Sequence, residues 1–160
     1  MSDKVPQVSQ YGSVDPAPPS NLGNIDTWKN SLTDDRIPLF QRMRNVFSLR
    51  NEGSAESCLA LCFGFQSSSA LLRHELAYVL GQMQNKVALP ALIDRLDDLQ
   101  EHVMVRHEAA EAMGAIGDLS VKVVLEKHLN DNNPEVSESC EVALDLLAWC
   151  NTGEWSETKW

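Results

Sequence analysis

No apolar run in this chain of 160 residues approaches the roughly 18 that a membrane-crossing helix needs, so no membrane is expected among its partners. Positive charge is scarce as well. Thirteen Lys and Arg stand against 23 Asp and Glu, a net charge of −10. Nucleic-acid binders concentrate basic patches, so no nucleic acid is expected. The surplus of acid favours solubility and attraction to a basic partner. Residues 1–19 lack the charged start and apolar core of a secretory signal. The four cysteines, Cys58, Cys62, Cys140 and Cys150, show no Cys-x2-Cys zinc spacing and are too sparse for a disulfide framework. They read as small buried apolar residues of a reduced, cytoplasmic protein. A phosphate loop, a dinucleotide fingerprint, a His-Glu-x-x-His zinc motif and a nucleophile–base arrangement are all missing.

What is present is a repeat. Arg73-His74-Glu75-Leu76-Ala77 and Arg106-His107-Glu108-Ala109-Ala110 share one pattern, with Gly81 and Gly114 closing it. Every element of the second copy follows its counterpart at one constant interval, about 33 residues, the length of a helical-repeat unit. Cys140-Glu141-Val142-Ala143 falls one further interval on, without histidine, and Met43 holds the corresponding place nearly one interval before His74. Around these positions the apolar pattern is helical. Asp34 or Asp35 is placed to cap a helix to Leu49, Ala55 to Phe65 forms its partner, and the Ser67–Ser69 run opens the His74 helix. Pro90 and Pro134 suit the first turn of later helices. Such a period predicts an all-α fold, a right-handed α-solenoid of about four HEAT-like (PBS-lyase-type) helix pairs over residues 29–150. Residues 1–28, rich in Pro and Ser, read as a flexible tail or linker, and 151–160 as a loose C-terminal tail.

A repeated His-Glu inside an apolar helix points to a polar site between stacked repeats. Equivalent helices in such a stack lie about 8–10 Å apart, so imidazoles at equivalent positions can approach one ion from two sides. Two histidines plus a carboxylate with open positions are the ligand type of non-heme Fe(II) oxygenases. Neighbouring residues on a helix diverge by roughly 100°, so each His and the Glu after it serve adjacent ions more naturally than one. His74, Glu75, His107 and Glu108 would then make about half of a dinuclear site. Copying for packing alone is the competing reading of such a repeat. Arg73 and Arg106 read as solvent residues or orienters of carboxylates, and Glu111, His102 and His128 as solvated.

These residues resemble the deoxyhypusine hydroxylase family. The likeness is carried by Ser69-Ala70-Leu71-Leu72-Arg73-His74-Glu75-Leu76-Ala77-Tyr78-Val79-Leu80-Gly81, Met104-Val105-Arg106-His107-Glu108-Ala109 and Glu138-Ser139-Cys140-Glu141-Val142-Ala143-Leu144-Asp145. It implies a HEAT-repeat di-iron monooxygenase completing hypusine formation on a translation factor, built of two similar halves. By the resemblance this chain is the C-terminal half, and its partners are the hypusine-containing translation factor and either the N-terminal half or a second copy. His74 and His107 are then ligands of one iron (Fe2+) and Glu75 of the iron held mainly by the other half. Glu108 matches a motif carboxylate that acts as metal ligand or as catalytic contact to substrate. The alternatives are a non-catalytic HEAT-repeat protein-binding scaffold and a truncated inactive paralogue.

Overall fold

The computed structural model describes residues 15–152, and among these every regular element is helical. The order is α1 (Ile25–Ser31), α2 (Leu39–Glu52), α3 (Ala55–Phe63), α4 (Ala70–Met83), α5 (Leu89–Asp97), α6 (Val103–Ile116), α7 (Lys122–Lys127) and α8 (Pro134–Asn151). Short 3-10 turns over 64–66, 86–88 and 119–121 link some of them. No helix of the described residues is long and apolar enough to cross a membrane.

Local chemistry sets the helix ends. The Ser54 and Ser69 hydroxyls accept the backbone N–H of Ser57 and Leu72, satisfying donors that the first turn leaves free. Pro90 and Pro134 sit where a missing N–H costs nothing. Gly53 and Gly117 end α2 and α6 with φ of 78° and 76°, a left-handed turn that glycine enters without strain.

Helices α2, α4, α6 and α8 lie side by side in one layer; α1, α5 and α7 each pack against the layer member that follows them, and α3 touches both α2 and α4, the former more extensively. The result is four layer helices each backed by a second-layer helix, as the period predicted; α3 keeps the α2 partner the sequence assigned it, whereas α5 and α7 back the layer helix after them rather than the one before. The core between the layers is aliphatic, built from Leu49, Leu61, Leu76, Leu80, Leu92, Leu96, Leu125 and Leu147.

Several expectations are corrected. Residues 1–14 and 153–160 lie outside the described residues, so the tails assigned there stay untested. From residue 15, however, the Pro-rich stretch is packed rather than loose. Ala17 is buried, the Arg44 guanidinium donates to the carbonyls of Pro18 and Pro19 at 3.1 and 2.9 Å, and the Ser20 N–H donates to Ser48 Oγ at 2.8 Å. Helix α1 has no counterpart in the sequence reading; Asn24 and Thr27 form a reciprocal cap for it. Helix α2 starts after Pro38 rather than at Asp34 or Asp35. Asp34 binds Arg36, and Asp35 receives Ser68 Oγ at 2.8 Å and Arg42 at 3.0 Å.

The arginines of the motif are structural clamps. Arg73 Nη2 reaches Glu101 at 2.7 Å, and its Nη1 donates to the Ser67 carbonyl at 2.7 Å. Arg106 Nη2 meets Asp131 at 2.6 Å while its Nε donates to the Leu96 carbonyl at 3.0 Å. Each arginine thus ties its helix to the loop that leads into the next layer helix. His128, expected in solvent, is buried beside this clamp with Nε2 2.6 Å from Asp97 and Nδ1 3.4 Å from Asp131. Arg106 holds the Asp131 carboxyl well below the usual range.

Candidate metal centre

Close helix crossings bring the two motif copies together. A Cβ placed on Gly81 would stand 3.0 Å from Ala112 Cα, and one on Gly114 would stand 2.9 Å from Ala143 Cα. Only hydrogen fits at these positions, so α4 approaches α6, and α6 approaches α8, more closely than larger residues would allow. His74 and His107 consequently face each other, ring centroids 5.8 Å apart and planes tilted by 32°.

Glu108 lies between them. Its Oε2 is 3.2 Å from His74 Nε2 and 3.7 Å from His107 Nε2, and one donor atom from each of the three residues falls within 4.8 Å of the others. Zinc-like ligand distances of roughly 2.0–2.2 Å need the donors about 1 Å closer at their widest, a shift within side-chain reach. Glu75 is not part of this cluster. Its Oε2 stands 3.6 Å from His74 Nδ1, too long for a hydrogen bond, and that nitrogen is buried without a hydrogen-bond partner. Two histidines, one carboxylate and an orphaned ring nitrogen beside a second carboxylate fit a divalent cation in a partly open site. The proton balance agrees. Glu108, and secondarily Glu75, raise the His74 pKa from 6.5 to about 9, so in the metal-free chain a proton on His74 fills part of the positive charge the carboxylates call for.

The equivalent positions in the outer copies are closed. Met43 on α2 and Cys140 on α8 are buried at 4 % and 0 %, whereas the His74 and His107 side chains remain 23 % and 28 % exposed. Sequence reasoning missed the surroundings of His107. Glu111, read as solvated, is indeed 45 % exposed, yet its Oε1 is 3.4 Å from His107 Nδ1 and accepts the Ser139 hydroxyl at 3.0 Å. The signals were present: Glu111 is one helical turn after His107, and Ser139 stands where the next repeat would carry the counterpart of Arg106.

Beside Glu108 runs a groove of about 520 Å³ between α4, α6 and α8, lined by Tyr78, Gln82, Ala112, Val142 and Leu146 with Glu108 and Glu111 at its polar side.

A family model described as HEAT repeats matches residues 60–145. The chain belongs to the HEAT-repeat family. Its curated homologues are deoxyhypusine hydroxylases. The zebrafish (Danio rerio) protein is 47 % identical over 144 residues, 90 % of this chain and 47 % of the relative. The human protein is 47 % identical over 141 residues, 88 % of this chain and 47 % of the relative. A solved structure of human deoxyhypusine hydroxylase in complex with glycerol superposes with a TM-score of 0.86 at 46 % identity, covering 90 % of this chain and 50 % of that one. The chain therefore spans about half the length of the relatives it matches, and its HEAT repeats overlay half of a deoxyhypusine hydroxylase.

Proposed function

We propose that this chain is the C-terminal half of an iron-dependent deoxyhypusine monooxygenase acting in the cytoplasm. The observation that carries the reading is the convergence of His74 and His107 on Glu108 at the contact of two repeats. His74 and His107 would hold one iron, and Glu75, outside the cluster, would reach the iron held mainly by a complementary half. Iron, when bound, supplies activation of dioxygen. The rest falls to the protein. His74 must release its Nε2 proton before it can serve as a ligand, since only a neutral imidazole donates a lone pair. Glu108, at the mouth of the groove, is placed to act as ligand or to contact the substrate.

The groove suits the substrate class. Deoxyhypusine presents a long methylene chain with cationic nitrogens. Ala112, Ala115, Val142 and Leu146 offer apolar surface along the groove, and Glu108 and Glu111 offer negative charge at its side. Apolar walls exclude water there and strengthen the attraction of carboxylate for ammonium. The translation factor would thus present its modified loop to an acidic chain, with electrostatic steering in its favour.

Iron content and deoxyhypusine hydroxylation decide the matter. They are to be measured for this chain alone, for a mixture with a separately produced N-terminal half, and for the mixture carrying His74→Ala. Weak iron binding alone, activity in the mixture and loss of both with His74→Ala are expected. If the mixture neither binds iron nor hydroxylates, and His74→Ala changes nothing, the chain is a protein-binding scaffold.

A further inference from the structure

The two histidines of the cluster are not held in the same way. Glu108 takes His74 at Nε2, and nothing hydrogen-bonds its Nδ1. His107, by contrast, is gripped from behind. Its Nδ1 is 3.3 Å from Ser139 Oγ and 3.4 Å from Glu111 Oε1, and Ser139 in turn donates its hydroxyl hydrogen to Glu111 at 3.0 Å.

Hydrogen counting fixes the direction of these bonds. A serine hydroxyl has one proton. Here that proton is committed to Glu111, because without it two oxygen lone pairs would face each other at 3.0 Å. Towards His107 the hydroxyl oxygen can therefore only accept, and so can the carboxylate of Glu111. Both neighbours of Nδ1 are acceptors, so Nδ1 carries hydrogen. In the neutral ring the lone pair then sits on Nε2, the atom 3.7 Å from Glu108 and facing His74. An unconstrained neutral imidazole favours the opposite tautomer, with its proton on Nε2 and no lone pair to offer there.

We propose that Ser139, backed by Glu111, is a positioning residue: it locks His107 in the Nδ1–H tautomer and so prepares Nε2 as the anchoring ligand of the cluster. Ser139 is itself buried, at 5 % exposure, on the helix α8 that the Gly114 crossing draws against α6. A buried hydroxyl has few alternative partners, so the orientation is fixed by the fold before any ion arrives. The fourth repeat thus gives up its own histidine and arginine and serves the third repeat instead. The tautomer lock stands on hydrogen-bond geometry, and its use in metal binding rests on the functional reading above.

The test uses the whole chain labelled with nitrogen-15 histidine, metal-free, in long-range proton–nitrogen spectra across pH 6–10, with His107→Gln to assign the ring. The parent should show the Nδ1–H form at His107. Ser139→Ala should move that ring towards the Nε2–H form and lower Co2+ affinity about 10–100-fold, the usual cost of losing a partner behind a metal-bound histidine. Ser139→Thr, which keeps the hydroxyl, should restore both. A merely structural role would lower the melting temperature and leave the tautomer alone. An unchanged tautomer in Ser139→Ala, or a Ser139→Thr variant as impaired as Ser139→Ala, overturns the proposal. Co2+ binding that ignores His74→Ala would sink the metal reading and leave the tautomer result standing.

Discussion

Replacing Arg106 by methionine should unfold the stack before it touches the chemistry. The guanidinium is almost fully enclosed, its side chain 2 % exposed and that of Asp131 only 6 %. It donates to both carboxylate oxygens of Asp131, at 3.2 and 2.6 Å, and to the Leu96 carbonyl at 3.0 Å. Arg106→Met fills the volume but removes the guanidinium from the Leu96 carbonyl and from Asp131, whose charge is left in the interior with the Asn133 N–H at 3.0 Å and without its cationic partner. Breaking a buried pair from one side costs about 3–5 kcal/mol, a large share of the roughly 5–15 kcal/mol that holds a domain together. With a urea slope of about 1.5 kcal/mol per molar, the midpoint followed by circular dichroism should fall by about 2–3 M. Arg36→Ala is the control: the Arg36 side chain is 90 % exposed, and no measurable change is expected. The acid limb gives a second reading. Asp131 has a lowered folded pKa, so its stabilisation is complete above the unfolded value of about 3.9 and is lost as pH falls through the folded one. Arg106→Met removes the largest cause of the lowering and leaves the Asn133 hydrogen bonds, so the variant should lose less stability than the parent on acidification below about pH 4. A variant within about 1 kcal/mol of the parent at neutral pH would refute the clamp.

Two further outcomes follow from the site. With the His74 pKa raised to about 9, Co2+ binding at pH 7.5 should release about one proton, read by calorimetry in buffers of different ionisation enthalpy, and this release should vanish in His74→Ala. The same shift makes the metal-free chain lose His74's contribution as pH rises from about 6.5 through about 9, and unfolding midpoints independent of pH over that window would contradict it. Gly114→Ala should destabilise even though alanine favours helix by about 1 kcal/mol, because its Cβ meets Ala143 Cα and Cβ at 2.9 Å and overpacking costs about 1–3 kcal/mol. A Gly114→Ala protein that melts above the parent would show that α6 and α8 have room to spare.

The constant interval from His74 to His107 and on to Cys140 made the repeat, the layer helices and the pairing of motif copies legible in the sequence. Spacing reads well because a stacked unit must return to the same place to bury its face. The rest depended on contacts that cross between helices. Arg73 and Arg106 look alike in sequence to any surface arginine; only the loop positions of Glu101 and Asp131 show that they are clamps. Helix α1 was hidden because Pro16, Pro18 and Pro19 dominate the local composition, while Ala17, Arg44 and Ser48 decide that the segment packs. Ser139 and Glu111 escaped notice because a serine is informative only once its hydroxyl is seen to have a donor in front and an acceptor behind.

Met43, His74, His107 and Cys140 form one row along α2, α4, α6 and α8, and only its two central rungs are open to solvent. That exposure pattern sets a capacity. A histidine grafted at 43 or 140 would be an imidazole sealed in apolar surroundings, adding strain and no coordination. On the function proposed above, the row would seat a single cation however many histidines it were given, and a second ion beside Glu75 would have to draw its remaining ligands from a surface that faces this one.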